Sequence, residues 1–105
     1  MAEPEAMESE QAFNAALDAL NGAYAEAVEA IRGVVNPQNA FACATTLADS
    51  LRATADAAAD VRAQTAARIW EEERLSLTGL ADRISVSKAR AGQLVQRAKQ
   101  IKEQS

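Results

Sequence analysis

LTGLADRISVSKARAGQL, residues 77–94, carries the most specific hydrophobic pattern in the chain. Two short amphipathic segments flank a polar turn, and the apolar positions are Leu80, Ala81, Ile84, Val86, Ala91 and Leu94. Leu80 and Ile84 lie one helical turn apart and share a face. Ala81, beside Leu80, leaves room for two helices to cross steeply. Val86 plugs the corner of the turn, and Ala91 with Leu94 brings the second helix back onto the first. The pattern predicts a helix-turn-helix.

A helix-turn-helix needs a third helix to close its core, and residues 61–73 are the natural supplier, which makes Trp70 a core residue. Within the motif, Thr78 is expected to cap the first helix, its turn facing a phosphate, and Ser87 to cap the second. Arg83 reaches either the backbone of a nucleic acid or a nearby acid. Placing Lys88 to Lys102 on a wheel at about 100° per residue groups Ala91, Leu94, Val95 and Ala98 on the core side. Ala89, Gly92, Gln93 and Gln96 fall opposite, with Lys88 on one flank and Arg90 and Arg97 on the other. Slim and amide-bearing residues with cationic edges suit a helix entering the major groove. Gln93 is the candidate for bidentate readout of adenine, and Ala89 for contact with a thymine methyl. Gly92 costs about 1 kcal/mol in helix stability relative to alanine, and close approach to DNA is a reason to keep it.

The segment LSLTGLADRISVSKARAGQLVQRA, residues 75–98, resembles the promoter-recognition C-terminal domain of bacterial sigma factors and related small regulators. The likeness covers under a quarter of the chain, and the other regions of a sigma factor are missing. It implies a recognition helix that reads double-stranded DNA. One position departs from the family pattern: Ser85 stands where glycine is usual, because the turn backbone often needs positive φ.

Composition sets further bounds. The chain has 105 residues, one cysteine and no histidine, so neither an internal disulfide nor a Cys/His zinc site is available. Cys43, in the apolar run AFACA, is expected to be a buried structural residue. No Gly-rich phosphate loop and no nucleophile with an evident base are present, so an enzyme is not expected, nor a cofactor or a small-molecule effector. The net charge of −4 hides an asymmetry. Residues 1–74 hold 5 basic and 13 acidic side chains, whereas residues 75–105 hold 6 basic and 2 acidic. The cations thus gather in the segment with the motif, as an electrostatic footprint requires. MAEPEAMESE lacks the basic start and apolar core of a signal peptide, and no apolar run approaches a membrane span. A cytoplasmic, nucleoid-associated protein without membrane contact is expected. Abundant alanine and an excess of arginine over lysine fit a GC-rich bacterial genome.

Upstream of the motif, residues 1–8 read as a disordered acidic tail and residues 9–60 as a helical hairpin, with residues 61–105 forming the helix-turn-helix region. Ser9 is the expected cap of a first helix whose seam is Phe13, Leu17, Leu20, Tyr24, Ala27, Ile31 and Val34, alternating four and three. Gly33 and Asn36-Pro37 stop it, Asn36 capping the next helix with Pro37 at its first position. The second seam is Leu47, Leu51, Thr54, Ala58, Val61 and Thr65, on a helix that runs toward Arg74 with room for a bend near residues 57–60. Glu71, Glu72 and Glu73 oppose the macrodipole and help to end it. Of 51 hydrophobic residues, 26 are alanine, so a chain this small gains stability by self-association. The fold class read from all this is all-α, with an N-terminal hairpin for dimerisation and a C-terminal helix-turn-helix. The expected function is sequence-specific DNA binding as a small dimeric bacterial transcriptional regulator. Alternatives are a module that binds polymerase, a sigma factor or another regulator, and an architectural or plasmid-partition DNA binder.

Overall fold

The computed structural model describes residues 4–104. Four helices follow one another: α1 (Pro4–Arg32), α2 (Pro37–Glu72), α3 (Leu77–Ile84) and α4 (Lys88–Gln104). No strand occurs among the described residues, so the fold is all-α. No described helix is long and apolar enough to cross a membrane. The contacts divide the chain into two compact units between Ser50 and Leu51.

In the first unit α1 begins at Pro4, five residues before the expected Ser9 cap, and residues 5–8 of the supposed disordered tail are helical. Glu5 in the first turn favours the positive end of the macrodipole, and Ala6, Met7 and Glu8 are good helix formers, so the chain needs no later cap. Residues 1–3, the rest of that tail, lie outside the described residues. The connection at residues 33–36 follows the sequence closely. Gly33 donates its N–H to Glu29 O at 3.1 Å, and Val34 to Ile31 O at 3.0 Å. Asn36 Oδ1 accepts from the N–H groups of Gln38 and Asn39 at 2.9 and 3.1 Å, which satisfies two orphan donors at the start of α2. Next to this connection Ala27 and Ile31 of α1, Val34 of the connection, and Cys43 and Leu47 of α2 line an open cavity of about 380 Å³. Cys43 is exposed, contrary to expectation, and Phe41 beside it is 73% exposed. Cys43 borders an open cavity and Phe41 stands in solvent, so the run AFACA is apolar without being core.

The second unit is closed by a small core. Ala63, Leu80 and Ala91 are fully buried, and Ala66, Ala81, Leu94 and Val95 nearly so. Ile69, Trp70, Leu75, Leu77, Ile84, Val86 and Ala98 pack around them. Alanine at Ala63, Ala66, Ala81 and Ala91 lets the backbones of α2, α3 and α4 approach closely, and leucine fills what is left. The α2 helix ends at Glu72, short of Arg74, in a left-handed turn: Arg74 has φ 54° and donates its N–H to Glu71 O, while Leu75 donates to Trp70 O. These are the paired bonds of a Schellman cap. Leu75 and Trp70 both pack on the same cluster, adding the hydrophobic contact that accompanies such a cap.

Candidate nucleic-acid interface

The geometry around α4 rests on two caps and one left-handed residue. Ser76 Oγ accepts from Gly79 N–H at 3.0 Å, so Ser76 and not Thr78 caps α3. Leu77 explains the correction: it packs on the core with Leu80, Ala81 and Ile84 and therefore belongs inside the helix, so the cap must precede it. Thr78 is exposed at the second position of α3. Ser85 takes φ 60° and ψ 46°, the left-handed conformation, and Val86 N–H bonds back to Ala81 O at 2.9 Å. A serine here costs about 1 kcal/mol relative to glycine, and the buttressing by Val86 in the core holds it in place. Ser87 Oγ then accepts from Arg90 N–H at 3.0 Å and starts α4.

Along α4 the wheel holds on the inner side. Ala91, Leu94 and Val95 are buried and Ala98 packs beside Leu94. On the outer side Lys88, Ala89, Arg90, Gln93 and Gln96 are exposed, and Gly92 is half-buried. A Cβ added to Gly92 would meet only Leu77 Cδ1, at 3.9 Å, an ordinary contact. Packing within the chain therefore does not require glycine there.

Not every cation is free. The Arg97 guanidinium is held by α2: Nε lies 2.7 Å and Nη2 2.6 Å from Asp60 Oδ1, and Nη2 also donates to Asp56 O at 3.3 Å. Arg97 is thus a tie between α4 and α2, a correction to its expected place among phosphate contacts. The wheel sets Arg90 and Arg97 at nearly the same angle, so the tie depends on where Asp56 and Asp60 of α2 lie along the helix and not on the face of α4. Arg83 resolves toward an acid, pairing with Glu73 at 3.1 Å, and Glu72 pairs with Arg68 at the same distance. Among the described residues Lys88, Arg90, Arg62 and Arg74 have no ion-pair partner.

Two features escaped the reading of the sequence. Arg62 of α2 and Arg90 of α4 line one open cleft of about 470 Å³ with Ile69, Ile84 and Leu94, a pairing across 28 positions that no local pattern reveals. Lys99 Nζ sits 5.6 Å from the centroid of the Trp70 ring. Trp70 packs against the core but is only partly buried, and its Nε1 is buried without a hydrogen-bond partner. A second cleft, of about 430 Å³, runs along Trp70, Val95, Ala98, Lys99 and Ile101. No group of described His, Cys, Asp or Glu residues is arranged to hold a metal ion.

Comparison with known families, with curated proteins and with solved structures finds no match for the chain.

Proposed function

We propose that this chain is a sequence-specific DNA-binding protein, a small dimeric regulator of the bacterial kind its resemblance implies. In this reading α3, the Ser85–Ser87 turn and α4 form the helix-turn-helix. The observation that carries it is the outer side of α4, where Lys88, Ala89, Arg90, Gln93 and Gln96 are exposed together, with both cations free of ion-pair partners, on a helix anchored from behind by Ala91, Leu94 and Val95. Gln93 reads a base edge, Ala89 meets a thymine methyl, and Lys88 and Arg90 neutralise phosphates. Gly92 keeps the helix slim where the groove floor comes closest. Thr78 offers its hydroxyl at the start of α3, where unsatisfied N–H groups and the macrodipole favour a phosphate. The N-terminal helices join two protomers, so that two copies of α4 read two half-sites.

The test is binding to a selected DNA sequence and to random DNA across a range of salt concentrations. Lys88→Ala or Arg90→Ala weakens both, and each makes the log–log salt slope shallower by about 0.9. Gln93→Ala costs about 1–3 kcal/mol on the selected sequence and little on random DNA. If the folded variants bind as the native chain does at low salt, α4 is not a reading head.

One observation favours a second reading, a module for an acidic protein partner. The cleft along Trp70, Val95, Ala98 and Ile101 is apolar, is edged by Arg68, Lys99 and Lys102, and has Glu71 as its one acid among the lining residues. An amphipathic acidic helix fits such a surface. Retained binding of polymerase or sigma subunits by a Lys88→Ala/Arg90→Ala chain would select this reading.

A further inference from the structure

We propose that the cleft lined by Arg62 and Arg90 binds a small amphipathic carboxylate, and that its occupation withdraws Arg90 from DNA. The effect on DNA rests on the reading above, whereas the site does not. Every residue lining this cleft belongs to the unit from Leu51 onward, so one unit builds it whole. Helix spacing explains how the two arginines come to it. Arg62 and Ala66 are four apart on α2, and Arg90 and Leu94 four apart on α4, so each pair shares a helix face. Ala66 and Leu94 are buried in one cluster, with Ile84 packed against it. That contact brings both arginine-bearing faces to a common apolar floor, which Ile69 and Ile84 extend.

Charge selects an anion. Acidic side chains outnumber basic ones by 15 to 11, and Arg68, Arg83 and Arg97 each find a carboxylate. Among the described residues Arg62 and Arg90 find none, and no Asp or Glu lines the cleft. Thr65, the one other polar side chain in the lining, donates its hydroxyl proton to Val61 O at 2.8 Å. The backbone of Arg90 is fixed by its bond to Ser87 Oγ at 3.0 Å, which leaves the guanidinium as the group that can move onto a ligand.

Size and polarity select a small molecule with an apolar body. The cleft, of about 470 Å³, falls within the roughly 300–1,000 Å³ of small-molecule sites. An apolar surface with a few polar groups is also their usual composition. Inorganic phosphate would leave the floor unused, and a hydrocarbon would leave the cations unused. A carboxylate on an aliphatic or aromatic body uses both. Its head takes two parallel bonds from a guanidinium, and its body removes the faces of Ile69 and Ile84 from water. In the reading above Arg90 meets a DNA phosphate, so carboxylate and phosphate compete for one guanidinium. The site departs from the expectation that no small-molecule effector is involved, because its two arginines stand 28 positions apart and no local pattern joins them.

The test titrates the full chain with 1-naphthoate and with its uncharged analogue 1-naphthylmethanol, following the methyl NMR signals of Ile69, Ile84 and Leu94. Naphthoate is expected to shift these signals saturably. The alcohol on the native chain, and naphthoate on the Arg62→Ala chain, are each expected to bind about tenfold more weakly. Unchanged Leu80 methyl signals show that the variant is folded. Signals that do not move at millimolar naphthoate would overturn the site, as would equal binding of the alcohol or by Arg62→Ala. A second titration reads DNA binding at low salt. Naphthoate is expected to release DNA from the native chain, and about tenfold more of it to be needed with Arg62→Ala. Saturable naphthoate binding without release of DNA would overturn the competition. A chain that binds no DNA fails the reading above, and the methyl titration still decides the site.

Discussion

The two units of this chain use the same residue, alanine, to opposite ends. In the C-terminal unit Ala63, Ala66, Ala81 and Ala91 sit where helices cross, and their small size brings backbones together around Leu80 and Leu94. In the N-terminal unit alanines flank a seam whose large members remain exposed. Alanine contributes little transfer free energy on its own. It stabilises a fold only where it lets larger neighbours meet. The C-terminal unit supplies those neighbours within its own chain, through Ile69, Trp70, Leu75, Leu77, Ile84 and Val86. The N-terminal unit has them in Phe13, Leu17, Leu20 and Tyr24 but does not cover them itself.

This contrast is sharpest at two leucines. Leu80→Ala removes the largest fully buried side chain and is expected to cost about 2–5 kcal/mol, independent of protein concentration in thermal or urea unfolding. Leu20→Ala, at a position 61% exposed, is expected to show its cost only as weakened association, so that its effect on the melting temperature fades on dilution. Equal, concentration-independent losses at both positions would erase the distinction between a closed unit and an open one.

Smaller effects probe how the closed unit presents α4. Ser76→Ala and Ser87→Ala each remove a cap bond to a backbone N–H at 3.0 Å and are expected to lower stability by about 1 kcal/mol, read by urea denaturation followed through Trp70. A loss at Ser76 with none at Thr78→Ala would fit the caps described. Gly92→Ala has the opposite sign. With only Leu77 Cδ1 near the added methyl, it is expected to raise stability by slightly under 1 kcal/mol while weakening DNA binding. A gain in both quantities would remove the reason for a slim α4.

The smallest change concerns Arg97. Its pair with Asp60 is partly exposed, the side chains being 46% and 41% accessible, so Arg97→Ala is expected to cost at most about 1 kcal/mol. The salt slope of DNA binding is expected to stay unchanged, in contrast to Lys88→Ala. A slope that drops as far for Arg97→Ala as for Lys88→Ala would return Arg97 to the phosphate contacts.

Features under local chemical control are legible in the chain's residues. Asn36 and Ser87 as caps, the break at residues 33–36 and the inner face Ala91–Leu94–Val95 follow from spacing and from hydrogen bonds that close within four residues, whereas the positive φ at Ser85 was implied by the resemblance. Misplaced boundaries were local too: α1 starting at Pro4 and Ser76 capping α3 turn on which of two nearby signals prevails, and Leu77 could have decided the second. Which charges are paired and which remain free depends on contacts between distant parts of the chain. Arg97 meets Asp60 across 37 residues of chain, and Arg62 joins Arg90 at one cleft. Tertiary structure also decided that Cys43 is exposed in a run as apolar as any core segment. Periodicity states which face of a helix is apolar. Only the presence of another element at that face makes it buried, because burial is a property of two surfaces and a sequence pattern describes one.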